Sequence, residues 1–429
     1  MINFLNKKYF ENENKNFVYG FLFFNIGLFF LASAPFISVI LILISQLISL
    51  IYFRNDIRLY KPRIILFISF ILILSTTIKY LSKDTITYPW SNQLNFTDLF
   101  NWLPFFICFY LIQPYLKIFK YRNISSFLFL SGTVPIIITG LGQYFLGWDE
   151  QLSTLNGNII WFLKPINEVK GLSGIFNNPN YTGSWLSIIW PISLAFFIKN
   201  KSYIKKLVYF VYFNFLFVTM ILTNSKDTLL AFLIPLPFLF KMSIFKIILF
   251  TLIFFIFISI NFLNPIQQLT LIFKTKYLIT FNFSEIINIF PRIDVWRVSL
   301  LTIFKNPLFG VGASTFPLIY ELNKHNSVND TIQHSHNLFF EITLNYGLIT
   351  SVLIFYIFIN ILIESGIIIF KRSNNVLNKA WWFSAFLFLI NHLFDVTYYD
   401  VRISLSFWIL ISGLYCISCQ NEFKNNLNN

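Results

Sequence analysis

Apolar residues run through this chain in blocks of about 20, and each block is long enough to cross a hydrocarbon layer roughly 30 Å thick at ~1.5 Å of helical rise per residue. A chain built from such blocks belongs in a bilayer. Only 12% of the 429 residues are charged, where soluble domains carry about a quarter, so a soluble enzyme is excluded. The blocks give twelve candidate spans, at about 17–34, 35–52, 64–81, 99–116, 125–146, 180–198, 204–223, 227–240, 244–263, 338–363, 380–394 and 402–419. The first two are nearly continuous and are divided at Pro35, because one helix of that length would overshoot the membrane. The expected fold is an all-α integral membrane protein of about 12 transmembrane helices. It falls into 1–263 (spans one to nine), 264–336 (a large, partly helical outer loop) and 337–429 (the last three spans).

Charge tests that count, because cytoplasmic loops are rich in Lys and Arg. With both termini inside, the cytoplasmic face receives 20 of the 32 basic residues but only five of the 18 acids, which leaves 12 and 13 for the other face. The net charge of +14 is therefore a cytoplasmic excess and calls for no nucleic-acid partner. Ala32-Ser33-Ala34 resembles a signal-cleavage site, but the apolar run is too long and Pro35 follows at once, so the first block reads as a retained anchor. Cys416-x-x-Cys419 stands at the inner end of the last span and reads as small apolar residues in a helix rather than a redox or metal pair.

The outer loop spans some 70 residues where connections ordinarily take about 5, and its aromatics and helix-like runs argue that it folds. It contains PRIDVWRVSLLTIFKNPLFGVGASTF, Pro291 to Phe316. Arg292, Trp296 and Leu300 share one helical stripe, with Arg297 on neighbouring surface. Guanidinium forks suit phosphate oxygens. The alternatives are lipid headgroups or an ion pair with Asp294. Pro307 then breaks the helix, and Gly310 and Gly312 supply tight backbone.

Three other stretches carry candidate chemistry. In GLSGIFNNPNYTG, Gly171 to Gly183, Asn178-Pro179-Asn180 forms a turn before a span, either as a simple entry turn or with a positioning role. At Leu222 to Phe232, Lys226 and Asp227 stand at a junction of two spans, where an ammonium can also snorkel. The stretch HSHNLFFEITLNYGLIT, His334 to Thr350, places two of the chain's four histidines before an apolar segment. A neutral imidazole at that boundary, with an unperturbed pKa of about 6.5, can take a proton near neutral pH. The alternative is that His336-Asn337 merely caps the helix, since Asn is a good N-cap. His334 and His336 would diverge on a helix, and no Asp-x-Asp pair or second cluster completes a site, so no metal is expected. His392 and Asp395, near the outer end of span eleven, form either a polar site in the membrane or a structural bond; His325 reads as a surface loop residue.

These residues resemble the bacterial O-antigen ligase superfamily, which includes O-antigen polymerases and protein O-oligosaccharyltransferases. The ligase signature is His, then Asn, Ser or Gln, nine residues, Gly, two residues, and Gly, Thr or Tyr. Here it reads His336-Asn337, nine residues to Tyr346, Gly347, Leu348-Ile349 and Thr350. GIFNNPNYTG, TNSKD, RIDVW and NPLFGVG follow the family's order, although Ser225-Lys226 stands where Ser-Arg is usual. The resemblance implies a membrane glycosyltransferase of the bacterial inner membrane, working at the periplasmic face without metal or other cofactor. Its donor would be a glycan on undecaprenyl diphosphate, and its acceptor a hydroxyl of lipid A-core or another glycan, with inversion. His336 would be the base, and Arg292, Arg297 and Lys226 would bind the diphosphate. Asn337, His334, Asn178, Asn180 and Trp296 would position substrate. Membrane lipid is the remaining partner. A polymerase using the same donor is the near alternative. A secondary transporter of a small anion is the distant one, and it lacks paired broken helices in two matching halves.

Overall fold

The computed structural model describes residues 13–82, 91–154, 159–169, 171–225, 292–325, 332–372 and 375–426, with 157, 228, 234, 235 and 239 besides. The helices before the outer loop are α1 (Lys15–Phe30), α2 (Pro35–Tyr52), α3 (Pro62–Leu81), α4 (Ser91–Asp98), α5 (Leu103–Leu111), α6 (Gln113–Leu116), α7 (Phe119–Ser131), α8 (Val134–Leu146), α9 (Ile166–Val169), α10 (Pro179–Lys199) and α11 (Tyr203–Leu222). Beyond it come α12 (Arg292–Lys305), α13 (Phe316–Asn323), α14 (Leu338–Tyr346), α15 (Leu348–Arg372), α16 (Val376–Asn391) and α17 (Val401–Asn426). Among the described residues, seven helical segments are long and apolar enough to cross a membrane: Pro35–Tyr52, Pro62–Leu81, Phe119–Leu146, Pro179–Lys199, Tyr203–Leu222, Leu348–Lys371 and Val401–Cys419. The expected spans at 227–240 and 244–263 fall almost wholly outside the described residues, as do Lys226 and the first part of the outer loop.

Proline sets several of the starts. α2, α3 and α10 all begin with Pro at the first helical position, where its missing N–H costs no hydrogen bond. The division at Pro35 is observed, and Leu31–Ser33 form the turn between α1 and α2. α10 is central: every side chain from Thr182 to Phe196 is buried, against α11 on one side and α16 on the other. α17 packs on α5, α15 and α16. By contrast α2, α3 and α11 turn Leu47, Ile51, Leu66, Phe70 and Ile204 outward, the surface a lipid-facing helix presents.

The bundle has two ends of different character. One collects basic loops: Lys117 pairs with Asp56 at 2.8 Å, Lys199 donates to Asn123 at 2.8 Å, and the Arg58 backbone N–H donates to Gln113. The other holds the α8–α10 connection, the outer-loop helices, His336 and the turn between α16 and α17.

One segment takes a form the sequence left open, and one expected span is divided. The segment after α8 contains an antiparallel hairpin, β1 (Gln151–Thr154) and β2 (Ile159–Phe162), pairing Gln151 with Phe162 and Thr154 with Ile159. Its Ile-Ile-Trp-Phe run favours extended backbone, and Trp161 Nε1 ties it to the Ser33 carbonyl at 2.7 Å. The span expected at 338–363 is two helices, α14 and α15, broken at Gly347.

Candidate active site

The local structure around His336 is set by its neighbours. Asn337 caps α14, its Oδ1 accepting the Phe340 N–H at 3.1 Å, while its Nδ2 donates to the Leu393 carbonyl at 3.0 Å. The Leu338 N–H donates to the His392 carbonyl at 2.8 Å, so the start of α14 is fastened to the α16–α17 connection. On the other side, the buried Glu341 carboxylate reaches back to accept the Ser335 N–H at 2.8 Å, and Ser335 Oγ donates to the Asn337 carbonyl at 2.9 Å. His336 between them holds φ at 53°. That left-handed conformation costs a residue with a Cβ about 1–2 kcal/mol, and the flanking bonds sustain it. Capping and side-chain chemistry are thus divided: the asparagine caps, and the histidine is turned off the helix.

His336 Nδ1 meets Asp395 Oδ1 at 2.9 Å. An ionised carboxylate only accepts, so the hydrogen is on Nδ1 and Nε2 carries the free lone pair. The imidazole is 21% exposed and the carboxylate 7%, which leaves the ring reachable and shields its partner. Asp395 is also held by Asn180 Nδ2 at 2.7 Å and by the Val396 N–H at 2.8 Å. Burial acts to raise this carboxyl. The hydrogen bond with His336, together with the electrostatic influence of His336, His334 and Arg292, outweighs burial and holds it well below the usual carboxylate range. The His334 ring stands edge-on to His336, with 4.6 Å between centroids. Burial first, then the charge of His336, lowers the His334 pKa.

Three further elements converge here. Arg292 opens α12, close enough for its charge to act on Asp395. One turn on, Trp296 packs on Phe394, the residue before Asp395, at 6.5 Å between ring centroids. From the α8–α10 connection, Asn178 caps α10 by accepting the Asn180 N–H at 2.9 Å, which presents Asn180 to Asp395. Arg402 at the start of α17 forks onto Asp400, donates to the Ile175 carbonyl at 3.2 Å and lies 3.7 Å over the Phe176 ring. It thereby fixes the Asn-Pro-Asn turn against the α16–α17 connection.

The family model described as O-Antigen ligase matches residues 211–355. About a third of the chain is thus similar to that family. No curated protein matches the chain. The matched segment runs from within α11 to within α15 and includes Arg292, Trp296, His334 and His336, while Asn178, Asn180 and Asp395 lie outside it. Its signature has a structural reading. The nine residues after His336-Asn337 are α14, and Gly347 ends that helix at φ 93°, where a Cβ would stand 1.9 Å from the Leu308 carbonyl oxygen. The bare backbone lets the Asn306–Gly310 turn dock, with the Leu348 N–H donating to the Pro307 carbonyl at 2.8 Å and the Val311 N–H to the Leu344 carbonyl at 2.6 Å. These bonds clamp the 306–311 segment to the junction between α14 and α15.

The other expected residues fall out as follows. Arg297 takes the alternative employment: it bonds buried Asp294 through Nε at 2.8 Å and donates to the Asn323 carbonyl at 2.8 Å, bracing α12 to α13. Lys226 lies outside the described residues. His392 makes a structural bond, donating from Nδ1 to the Phe388 carbonyl at 2.7 Å and accepting from Thr397 Oγ1 at 3.1 Å. The His325 N–H donates to Asp294 at 3.0 Å.

His334, His336 and Asp395 together offer three metal-type donor atoms within 4.8 Å of one another, a third donor the linear sequence does not reveal. At 2.9 Å the His336 and Asp395 atoms stand at hydrogen-bond distance, and the Arg292 charge acts on the same carboxylate. Asp395 as the partner of His336 was missed in the sequence. The available signal was an acid at the outer end of an apolar span, where an unpaired charge is costly.

Proposed function

We propose that the protein is an O-antigen ligase-like glycosyltransferase of the bacterial inner membrane, working at the periplasmic face with both termini in the cytoplasm. The donor is a glycan on undecaprenyl diphosphate and the acceptor a sugar hydroxyl, as on lipid A-core. His336 Nε2 removes the hydroxyl proton as the oxygen attacks the anomeric carbon. The bond from that carbon to the diphosphate oxygen breaks, and its electron pair leaves with the diphosphate. One displacement inverts the carbon. Asp395 keeps the ring in the productive tautomer and stabilises the imidazolium. Arg292 faces the charge that develops on the diphosphate, a contact worth about 3 kcal/mol of barrier by analogy with oxyanion donors. Asn180, Asn178 and Asn337 position the partners of this reaction, and His334 and Trp296 wall the substrate. No metal takes part.

The observation that carries this reading is the His336–Asp395 hydrogen bond with the Arg292 charge beside it, inside a chain similar over 211–355 to the O-antigen ligase family. Purified His336→Ala is expected to lose transfer by about 10²- to 10⁴-fold while inserting normally. Normal product from that variant would remove His336 from the mechanism. Deletion followed by gel analysis of envelope glycans separates ligase from polymerase: loss of all polymer on the lipid A-core supports ligation, and a single capped unit supports polymerisation.

A further inference from the structure

A cavity with both polar and apolar lining opens on the far side of α12 from the Trp296 stripe. It encloses about 290 Å³ between the end of α3, α4 and the outer-loop helices. Val298, Leu301, Thr302 and Lys305 line it from α12, a spacing of i, i+3, i+4 and i+7 that marks one helix face, whereas Arg292 and Trp296 point from another. From Arg292 to Thr302 or Lys305 is on the order of 15–20 Å along the helix. Two ammonium groups, Lys79 and Lys305, border the cavity, and neither has an acidic partner among the described residues. Asn95 is 2% exposed and its Oδ1 has no hydrogen-bond donor among those residues. Each lysine stands in the last turn of its helix, where carbonyl ends favour a cation. That accounts for each singly, but not for their convergence on one cavity or for an orphaned amide oxygen, which is costly to bury unpaired.

The chemistry on the wall specifies the ligand. Two ammoniums call for an anion, Asn95 Oδ1 calls for a hydrogen donor, and the methyl and methylene groups of Val298, Leu301 and Ile319 suit the apolar face of a ring. We propose that this cavity is a binding site for a phosphorylated sugar or polyol headgroup, at the same end of the bundle as His336 but separate from it. The phosphate rests between Lys79 and Lys305, and a hydroxyl donates to Asn95. The group belongs either to a glycan handled by the protein or to a polyol phospholipid. The site does not depend on the reaction assigned to His336.

The test uses the full chain in phosphatidylcholine nanodiscs, with Arg292→Gln throughout to remove phosphate affinity at the reaction centre. Glucose 6-phosphate, titrated and followed by saturation-transfer NMR, is expected to bind saturably. Adding Lys79→Gln and Lys305→Gln is expected to weaken it roughly tenfold or more, as losing two charge-assisted contacts should. Glucose without phosphate is expected to bind at least as weakly. Binding indifferent to the two lysines, or no saturable binding, overturns the site. With phosphatidylglycerol in the nanodisc, competition assigns the headgroup to lipid, and undiminished binding assigns it to a glycan. Transfer by the unmodified protein is measured in parallel: absent transfer with intact sugar-phosphate binding sinks the role of His336 and leaves this site standing.

Discussion

Asp395 fixes the orientation of the His336 ring, and two predictions follow from that pair and its neighbour under the proposed mechanism. Asp395→Asn can keep the acceptor oxygen that meets Val396 and His336, and keeps the Asn180 contact only with that amide flipped, but it loses the charge that stabilises an imidazolium. Transfer is expected to fall by about 10²- to 10⁴-fold and the unfolding midpoint at neutral pH to drop, and unaltered turnover in purified protein would count against the pairing. Because the Asp395 pKa is depressed, its contribution to stability is present above the unfolded value of about 3.9 and is lost only in strong acid. His334 behaves differently. Its folded pKa is lowered, so its stabilising share is whole above about pH 6.5 and declines as pH falls toward the lower folded value. The unfolding midpoint should therefore drop between pH 7 and 5 more steeply in the native chain than in His334→Asn, and equal slopes would refute the assignment. His336, Asn337 and Arg292 stood out in the sequence because they lie in short motifs. Asp395 did not, because 59 residues separate it from His336 and only the return of α16 brings them together.

Helix starts were readable where the backbone announces them, as Pro35 and the Asn178-Pro179 pair do. Helix ends inside apolar runs were not. Nothing in the hydropathy of 338–363 marks Gly347 as a break, since α14 and α15 are equally apolar and the turn that docks there comes from 306–310, far along the chain. Gly347→Ala would force a Cβ against the Leu308 carbonyl at an unfavourable φ. It should lower the unfolding midpoint by several degrees and reduce transfer by shifting the loop that carries Arg292. A variant as stable and active as the parent would mean that the clamp is dispensable. Arg297 illustrates a different limit: its charge was visible in sequence, but whether it served a ligand or Asp294 depended on which way α12 faced.

At the scale of the whole chain, length and charge carried most of the information, because a bilayer punishes polar backbone and favours basic loops on one side. The basic end observed here gathers the loops that the count assigned to the cytoplasm. Single cysteines placed at Ser202 and Gln151, both exposed and at opposite ends of the bundle, should report this directly. In spheroplasts, a membrane-impermeant maleimide should label Gln151→Cys at once and Ser202→Cys only after lysis. The reverse pattern would invert the proposed topology.

The acid that tunes His336 lies downstream of residue 355, and the amide that steadies the acid lies upstream of residue 211. Grafting the matched segment alone into another scaffold would deliver an imidazole to a chain that must supply its own counter-charge. A chimera that exchanges only 211–355 therefore separates His336 from Asp395 and Asn180, and the imidazole travels without the contacts that orient it.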